Sequence, residues 1–276
     1  MKYPIQKWKR FRRRRKHKRK ENGRKRRQIP RTVIPSFFTL MNLFCGFLAI
    51  ISIAEGRLFF GAWLIVFAGL FDALDGFMAR LSNATSQFGI ELDSISDVVS
   101  FGVAPGFLLY AFGLGEMPFV GIILSALTPL CGAVRLARYN VDAQESRGDY
   151  FKGLPIPGQA IMIAAFYLTF YNQLEMFSGL EYGLNTVLVP VIVLLAFLMV
   201  STIPFDKMPS FDRESIKRNK VKLSLFIFYG ILILLFQEVG LMIVFSAYIF
   251  KGIILGGISF WKEAFGEPEE LPGDKR

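Results

Sequence analysis

Phe71-Asp72-Ala73-Leu74-Asp75-Gly76-Phe77-Met78-Ala79-Arg80 and Gly89-Ile90-Glu91-Leu92-Asp93-Ser94-Ile95-Ser96-Asp97 place four aspartates in or beside long apolar runs. An ionised side chain at bilayer depth costs on the order of 3 kcal/mol or more unless it is paired, hydrated or bound to a cation, so each of these residues is a functional candidate. At 100° per residue, Asp72, Asp75, Gly76 and Ala79 fall in one sector about 100° wide, and Asp93 and Asp97 differ by only about 40°. Each helix therefore offers two carboxylates on one face. Counting 1.5 Å per residue from the same end puts both pairs roughly 7–9 Å in, level with each other.

Apolar runs of about 20 residues, enough to cross a bilayer, surround these segments at 36–54, 58–80, 91–113, 118–138, 156–176, 184–203, 220–236 and 239–260. The chain of 276 residues is 53% hydrophobic with 29 phenylalanines, which suits lipid solvent better than one watery core. The expected fold class is an all-α, polytopic transmembrane bundle of about eight helices.

Charge sorts the connections. Residues 1–31 carry 17 Lys/Arg against Glu21, leaving 16 basic and 21 acidic residues for the remainder. After position 31, Arg57 is the one basic residue in the connections near 55, 115, 180 and 237, which hold Glu55, Glu116, Glu175, Glu181 and Glu238. The opposite connections carry Arg135, Arg138, Arg147, Lys152, Arg213, Lys217, Arg218, Lys220 and Lys222. By the positive-inside rule this second side, and both termini, face the cytoplasm. The polybasic segment has little aromatic interleaving, which favours an arm on anionic lipid headgroups and argues against a nucleic-acid partner. No cleavable signal peptide is expected, since the first apolar run follows that segment without a small-residue cleavage site. Cys45 and Cys131 lack metal or disulfide spacing, and His17 is the only histidine, so catalysis in the membrane body falls to carboxylates.

Four carboxylates converging at one depth repel one another, and the economical remedy is oxygen-preferring divalent cations, Mg²⁺ or Mn²⁺, with two ions about 3.5–4 Å apart as the familiar arrangement. Gly76 and Ala79 remove side-chain bulk on the same face, which suits a nucleotide diphosphate. A lone intramembrane aspartate often serves helix packing, but two face-matched pairs point to a shared ligand. An ion-coupled transporter would use such carboxylates nearer the midplane.

The spacing Asp72-x2-Asp75-Gly76-x2-Ala79-Arg80-x8-Gly89-x3-Asp93-x3-Asp97 resembles, at all eight specified positions, the signature of the CDP-alcohol phosphatidyltransferase family. That resemblance implies a six-helix membrane core, usually dimeric, displacing CMP from a CDP-linked lipid with divalent metal. Carried over residue by residue, Asp72, Asp75, Asp93 and Asp97 would hold metal and Asp97 would also be the general base. Asp72, Gly76, Ala79 and Arg80 would bind CDP-diacylglycerol. The expected organisation is a basic cytoplasmic tail 1–31, a six-helix core 32–203, a loop with two additional helices 204–260, and a polar tail 261–276.

Two further stretches, Cys131-Gly132-Ala133-Val134-Arg135-Leu136-Ala137-Arg138-Tyr139-Asn140 and Phe151-Lys152-Gly153-Leu154-Pro155-Ile156-Pro157-Gly158-Gln159-Ala160, look like the bacterial membrane-type branch of the family that accepts L-serine. Ile34–Gly46 is similar as well, with Ser36 where the wider family often has Asn. The implied reaction joins the phosphatidyl group of CDP-diacylglycerol to L-serine, in a homodimer of the bacterial cytoplasmic membrane with its active site facing the cytoplasm. Physically, Arg135 and Arg138, one turn apart, suit a carboxylate, with Lys152 as a third ligand. The same arginines also suit anchoring at the membrane edge, and glycerol 3-phosphate or another polar alcohol would fit them too.

Overall fold

The computed structural model describes residues 33–82, 86–145, 150–206 and 220–265. The basic segment 1–31 with His17, the residues 266–276, and Arg147, Arg213, Lys217 and Arg218 lie outside these. The described helices are α1 (Val33–Ala54), α2 (Leu58–Ser82), α3 (Gln87–Asp97), α4 (Ala104–Phe112), α5 (Val120–Glu145), α6 (Ile156–Phe170), α7 (Asn185–Val200) and a bent run α8 (Lys220–Phe265). A π-helical turn, Val98–Val103, joins α3 to α4 in one span, Gln87–Phe112. Among the described residues, five helical runs are long and apolar enough to cross a membrane, and their outward faces carry large side chains such as Phe37, Phe44, Phe67 and Ile122. The chain is an all-α, polytopic integral membrane protein.

The bundle starts as a helical hairpin. Gly56 takes the left-handed conformation (φ 80°), and the amides of Gly56 and Arg57 bond back to Ile53 O and Ser52 O at 2.9 and 2.8 Å, which closes α1 in a Schellman turn. Gly61 then lets α2 pass close to α1, since a Cβ there would stand 2.5 Å from Ile53 Cγ1. Glu55 and Arg57 pair at the tip.

The third span begins at Gln87, earlier than the apolar run alone suggests. Ser86 caps it, accepting from the Gly89 amide at 3.0 Å, and a Gln87–Glu91 side-chain bond of 2.9 Å supports the polar first turn. The π turn has a tertiary cause. Gly102 packs on Pro129 inside α5, where an added Cβ would sit 3.0 Å from Pro129 Cα. Thr128 Oγ1 lies 2.8 Å from Gly102 O and 3.1 Å from Ser125 O, the carbonyl that Pro129 leaves without an amide donor.

α6 is buried along most of its length. It and α7 are shorter than the expected fifth and sixth spans. A 3₁₀ turn, Leu174–Phe177, follows α6, and α7 stops at Ser201, whose backbone is extended (ψ 166°).

The expected break at Gln237-Glu238 is present within α8. Gln237 is non-helical (φ 44°, ψ −110°), and a Cβ on Gly240 would lie 2.6 Å from Leu232 O. Residues eight apart in a straight helix stand about 12 Å apart, so the chain doubles back here into two helices.

At the opposite end, Tyr150–Lys152 pairs antiparallel with Pro204–Asp206, Lys152 against Pro204. Gly153 (φ 78°) turns the ribbon into α6, and a side chain there would meet Met199 O at 2.5 Å. Phe205, fully buried, fills the space beside Gly252 and the Tyr248 ring. The ribbon thereby pins the C-terminal hairpin to the basic end of the bundle, where Arg80, Arg135 and Arg138 also lie.

Candidate functional site

The two aspartate-bearing helices meet as their spacing predicts. One carboxylate oxygen each from Asp72, Asp75 and Asp93 lies within 4.8 Å of the others. Asp75 is buried, while Asp72 and Asp93 are half-buried. Asp75 Oδ2 and Asp93 Oδ1 are buried without a hydrogen-bond partner. Buried oxygens of that kind call for a cation or a proton, and an all-carboxylate oxygen set suits Mg²⁺ or Mn²⁺.

Asp97, 6% exposed, stands one turn further into the bundle, outside the 4.8 Å cluster and within electrostatic reach of Asp72 and Asp93. Asn42 Nδ2 of α1 donates to its Oδ1 at 3.2 Å. Asn42 is itself held from the π turn, where Ser100 Oγ donates to Asn42 O at 3.0 Å. Gly46 permits this approach, since a Cβ there would stand 2.3 Å from Ser100 Oγ. Thr39, one turn before Asn42 on α1, is buried within reach of the Asp75 carboxyl, and its hydroxyl donates to Pro35 O at 3.2 Å. Asn42 and Thr39 are thus site residues that the aspartate pattern alone does not single out. Their signal is polarity in an otherwise apolar span.

The glycines of the bundle separate into two kinds. Gly46, Gly102 and Gly106 are filled from the far side by neighbouring helices, whereas a Cβ on Gly76 would meet nothing within 4 Å. Gly76 therefore keeps open space beside the carboxylates, as a ligand approaching the backbone requires. Ala79 is half-buried, and exposed Arg80 bonds back to Gly76 O at 3.1 Å.

The three basic residues expected at the acceptor are placed differently from one another. Arg135 is buried (6% exposed) within electrostatic reach of Asp97, Tyr248 and Tyr139. Arg138 Nη1 donates to Val200 O at 2.8 Å, tying α5 to the last turn of α7. Lys152 is exposed on the ribbon. Asn140 Nδ2 donates to Ser94 Oγ at 2.9 Å and fixes α5 against α3 next to Asp93.

This arrangement has relatives of known name. The chain is 34% identical to the CDP-diacylglycerol–serine O-phosphatidyltransferase of Helicobacter pylori (strain ATCC 700392 / 26695), over 82% of this chain and 91% of that protein. It is 36% identical to the Bacillus subtilis (strain 168) protein of the same name, over 68% and 97% respectively. It is also 40% identical to an archaetidylserine synthase of Methanothermobacter thermautotrophicus, over 51% and 61%. The family model described as CDP-alcohol phosphatidyltransferase matches residues 32–203, a stretch that runs from α1 through α7 and includes every aspartate of the cluster. This chain is an enzyme belonging to the CDP-alcohol phosphatidyltransferase family.

Proposed function

We propose that the enzyme transfers the phosphatidyl group of CDP-diacylglycerol to L-serine, releasing phosphatidylserine and CMP. The observation that carries the reading is the buried Arg135, within electrostatic reach of Asp97 beside the Asp72–Asp75–Asp93 cluster, in a chain whose named relatives act on serine or make a serine lipid. Asp72, Asp75, Asp93 and Asp97 are the residues that would hold divalent metal, Mg²⁺ or Mn²⁺, as two ions. When bound, the metal neutralises diphosphate charge and polarises the phosphorus–oxygen bonds.

The chain's own residues do the rest. The open face at Gly76 and Ala79, with Arg80 at its edge, admits the cytidine diphosphate head while the acyl chains stay in lipid. Arg135 draws the serine carboxylate in, and Arg138 and Lys152 line the approach. Asp97, oriented by Asn42, takes the proton from the serine hydroxyl. The serine oxygen bonds to the phosphorus that carries diacylglycerol, and the bond from that phosphorus to the CMP oxygen breaks. CMP leaves as an already acidic phosphate that needs little protonation. In this reading the basic end faces the cytoplasm of a bacterial membrane and the enzyme works as a homodimer.

A transfer to glycerol 3-phosphate would also use Arg135. The deciding experiment gives purified protein CDP-diacylglycerol with L-serine, glycerol 3-phosphate or other polar alcohols, and scores CMP and lipid product. L-serine alone should yield product. Product with glycerol 3-phosphate and none with serine overturns the acceptor assignment.

A further inference from the structure

Gln159 stands in the first turns of α6 with no exposed surface, and both its amide nitrogen and its amide oxygen are buried without a hydrogen-bond partner. An apolar residue of the same size would avoid that cost, so a buried amide left open at both ends is suited to a ligand.

Its position supplies the ligand. Ile156, three residues earlier on α6, meets α5 at Gly132, where an added Cβ would lie 2.3 Å from Ile156 Cδ1. Arg135 follows Gly132 by three residues on α5. Gln159 and Arg135 therefore each stand one turn from the point where the Ile156 side chain reaches Gly132. Long helical side chains lean toward their own N-terminus, and α5 and α6 are consecutive elements of opposite direction. The two side chains thus lean toward each other's level. A Cβ added to Gly158, the neighbour of Gln159, would stand 3.8 Å from Tyr248 Cε1, and Tyr248 is within electrostatic reach of Arg135.

We propose that Gln159 is a specificity-determining residue of the acceptor site, its amide oxygen accepting from the ammonium group of the amino-acid acceptor and its amide nitrogen sharing the carboxylate with Arg135. The inference rests on the reading of L-serine as acceptor and deepens it. An α-amino acid presents three N–H donors and a carboxylate on one carbon, and a carboxamide matches both signs at once. Glycerol 3-phosphate offers no ammonium group, so the amide oxygen would face an anion, which disfavours that alcohol. Tyr248 closes the site from the C-terminal hairpin, outside the segment 32–203 that the family shares.

The test uses the full-length enzyme with CDP-diacylglycerol, comparing wild type, Gln159→Met and Gln159→Asn. Gln159→Met keeps the volume and removes both polar groups. Its serine KM should rise by about tenfold or more, its CDP-diacylglycerol KM should move by less than about twofold, and its substrate-free unfolding temperature should equal or exceed that of wild type. Gln159→Asn retains the amide one methylene short, and its serine KM should fall between the two. A serine KM within about twofold of wild type in folded Gln159→Met overturns the inference. If that variant does not fold, an unchanged serine KM in Gln159→Asn overturns it instead. Wild-type enzyme that ignores serine would sink the acceptor reading itself, whereas serine turnover indifferent to Gln159 sinks this inference alone.

Discussion

On the α2–α3 side of the site, three carboxylates crowd within 4.8 Å of one another, supplied by residues no more than 21 positions apart (Asp72 to Asp93). On the α5–α6 side, one buried arginine and one buried amide stand on separate helices joined through the 146–155 connection. The first wall concentrates like charge and is incomplete without cations. The second mixes a cation with a neutral amide, the pairing that the proposed amino-acid acceptor would match. In the proposed reaction, donor chemistry and acceptor choice fall to different helix pairs, with Asp97 within electrostatic reach of the carboxylates on one side and of Arg135 on the other.

The largest effects should come from the carboxylate wall. Stripping the enzyme with EDTA should take CMP release to background, and Mg²⁺ or Mn²⁺ should restore it. Undiminished turnover without metal would remove cations from that wall altogether. Asp97→Asn preserves shape and can still pair with Asn42, yet removes the proposed proton acceptor. Turnover should fall by about a thousandfold or more with helical content and unfolding temperature unchanged. Activity within tenfold of wild type would take Asp97 out of the chemistry.

The two walls were also unequally legible in sequence. The aspartate pattern and the bilayer-length runs are local and periodic, so the face shared by Asp72 and Asp75, the level of Asp93, and the break at Gln237 could all be read from spacing and charge. The π turn could not, because it depends on Gly102 reaching Pro129 and on Thr128 reaching Gly102 O, contacts between distant spans. Arg138 was equally opaque. Its spacing from Arg135 suggests a shared ligand, but its Val200 contact is decided by where α7 ends, which follows from Ser201 turning extended toward the ribbon. Asn42 sat in plain view as an amide in an apolar span, and its target emerged only when α1 was placed against the π turn.

Asn42→Leu sharpens the comparison from the α1 side. It removes the 3.2 Å donor to Asp97 while leaving all four carboxylates in place. Supporting hydrogen bonds to metal ligands and bases commonly contribute ten- to hundredfold, so kcat should fall by roughly that factor and serine KM should hardly move. A serine KM effect with intact kcat would instead place Asn42 in acceptor binding.

The smallest but most discriminating contrast lies within the second wall. Arg135 and Arg138 are one turn apart on α5, yet one is buried within electrostatic reach of Asp97 and the other holds a helix-terminal carbonyl. Arg135→Ala should raise serine KM by roughly ten- to thirtyfold, the loss of a charge-assisted contact, with CDP-diacylglycerol KM little changed. Arg135→Lys should recover only part of this, because an ammonium keeps the charge and loses the planar fork. Arg138→Ala should change serine KM by less than about threefold and lower the unfolding temperature by a few degrees, as expected for one lost hydrogen bond at a helix end. If the two alanine variants raise serine KM equally, Arg138 shares the ligand and its bond to Val200 O gives way when serine binds. If both raise the CDP-diacylglycerol KM instead, the second wall binds diphosphate, and the division of labour between the helix pairs is wrong.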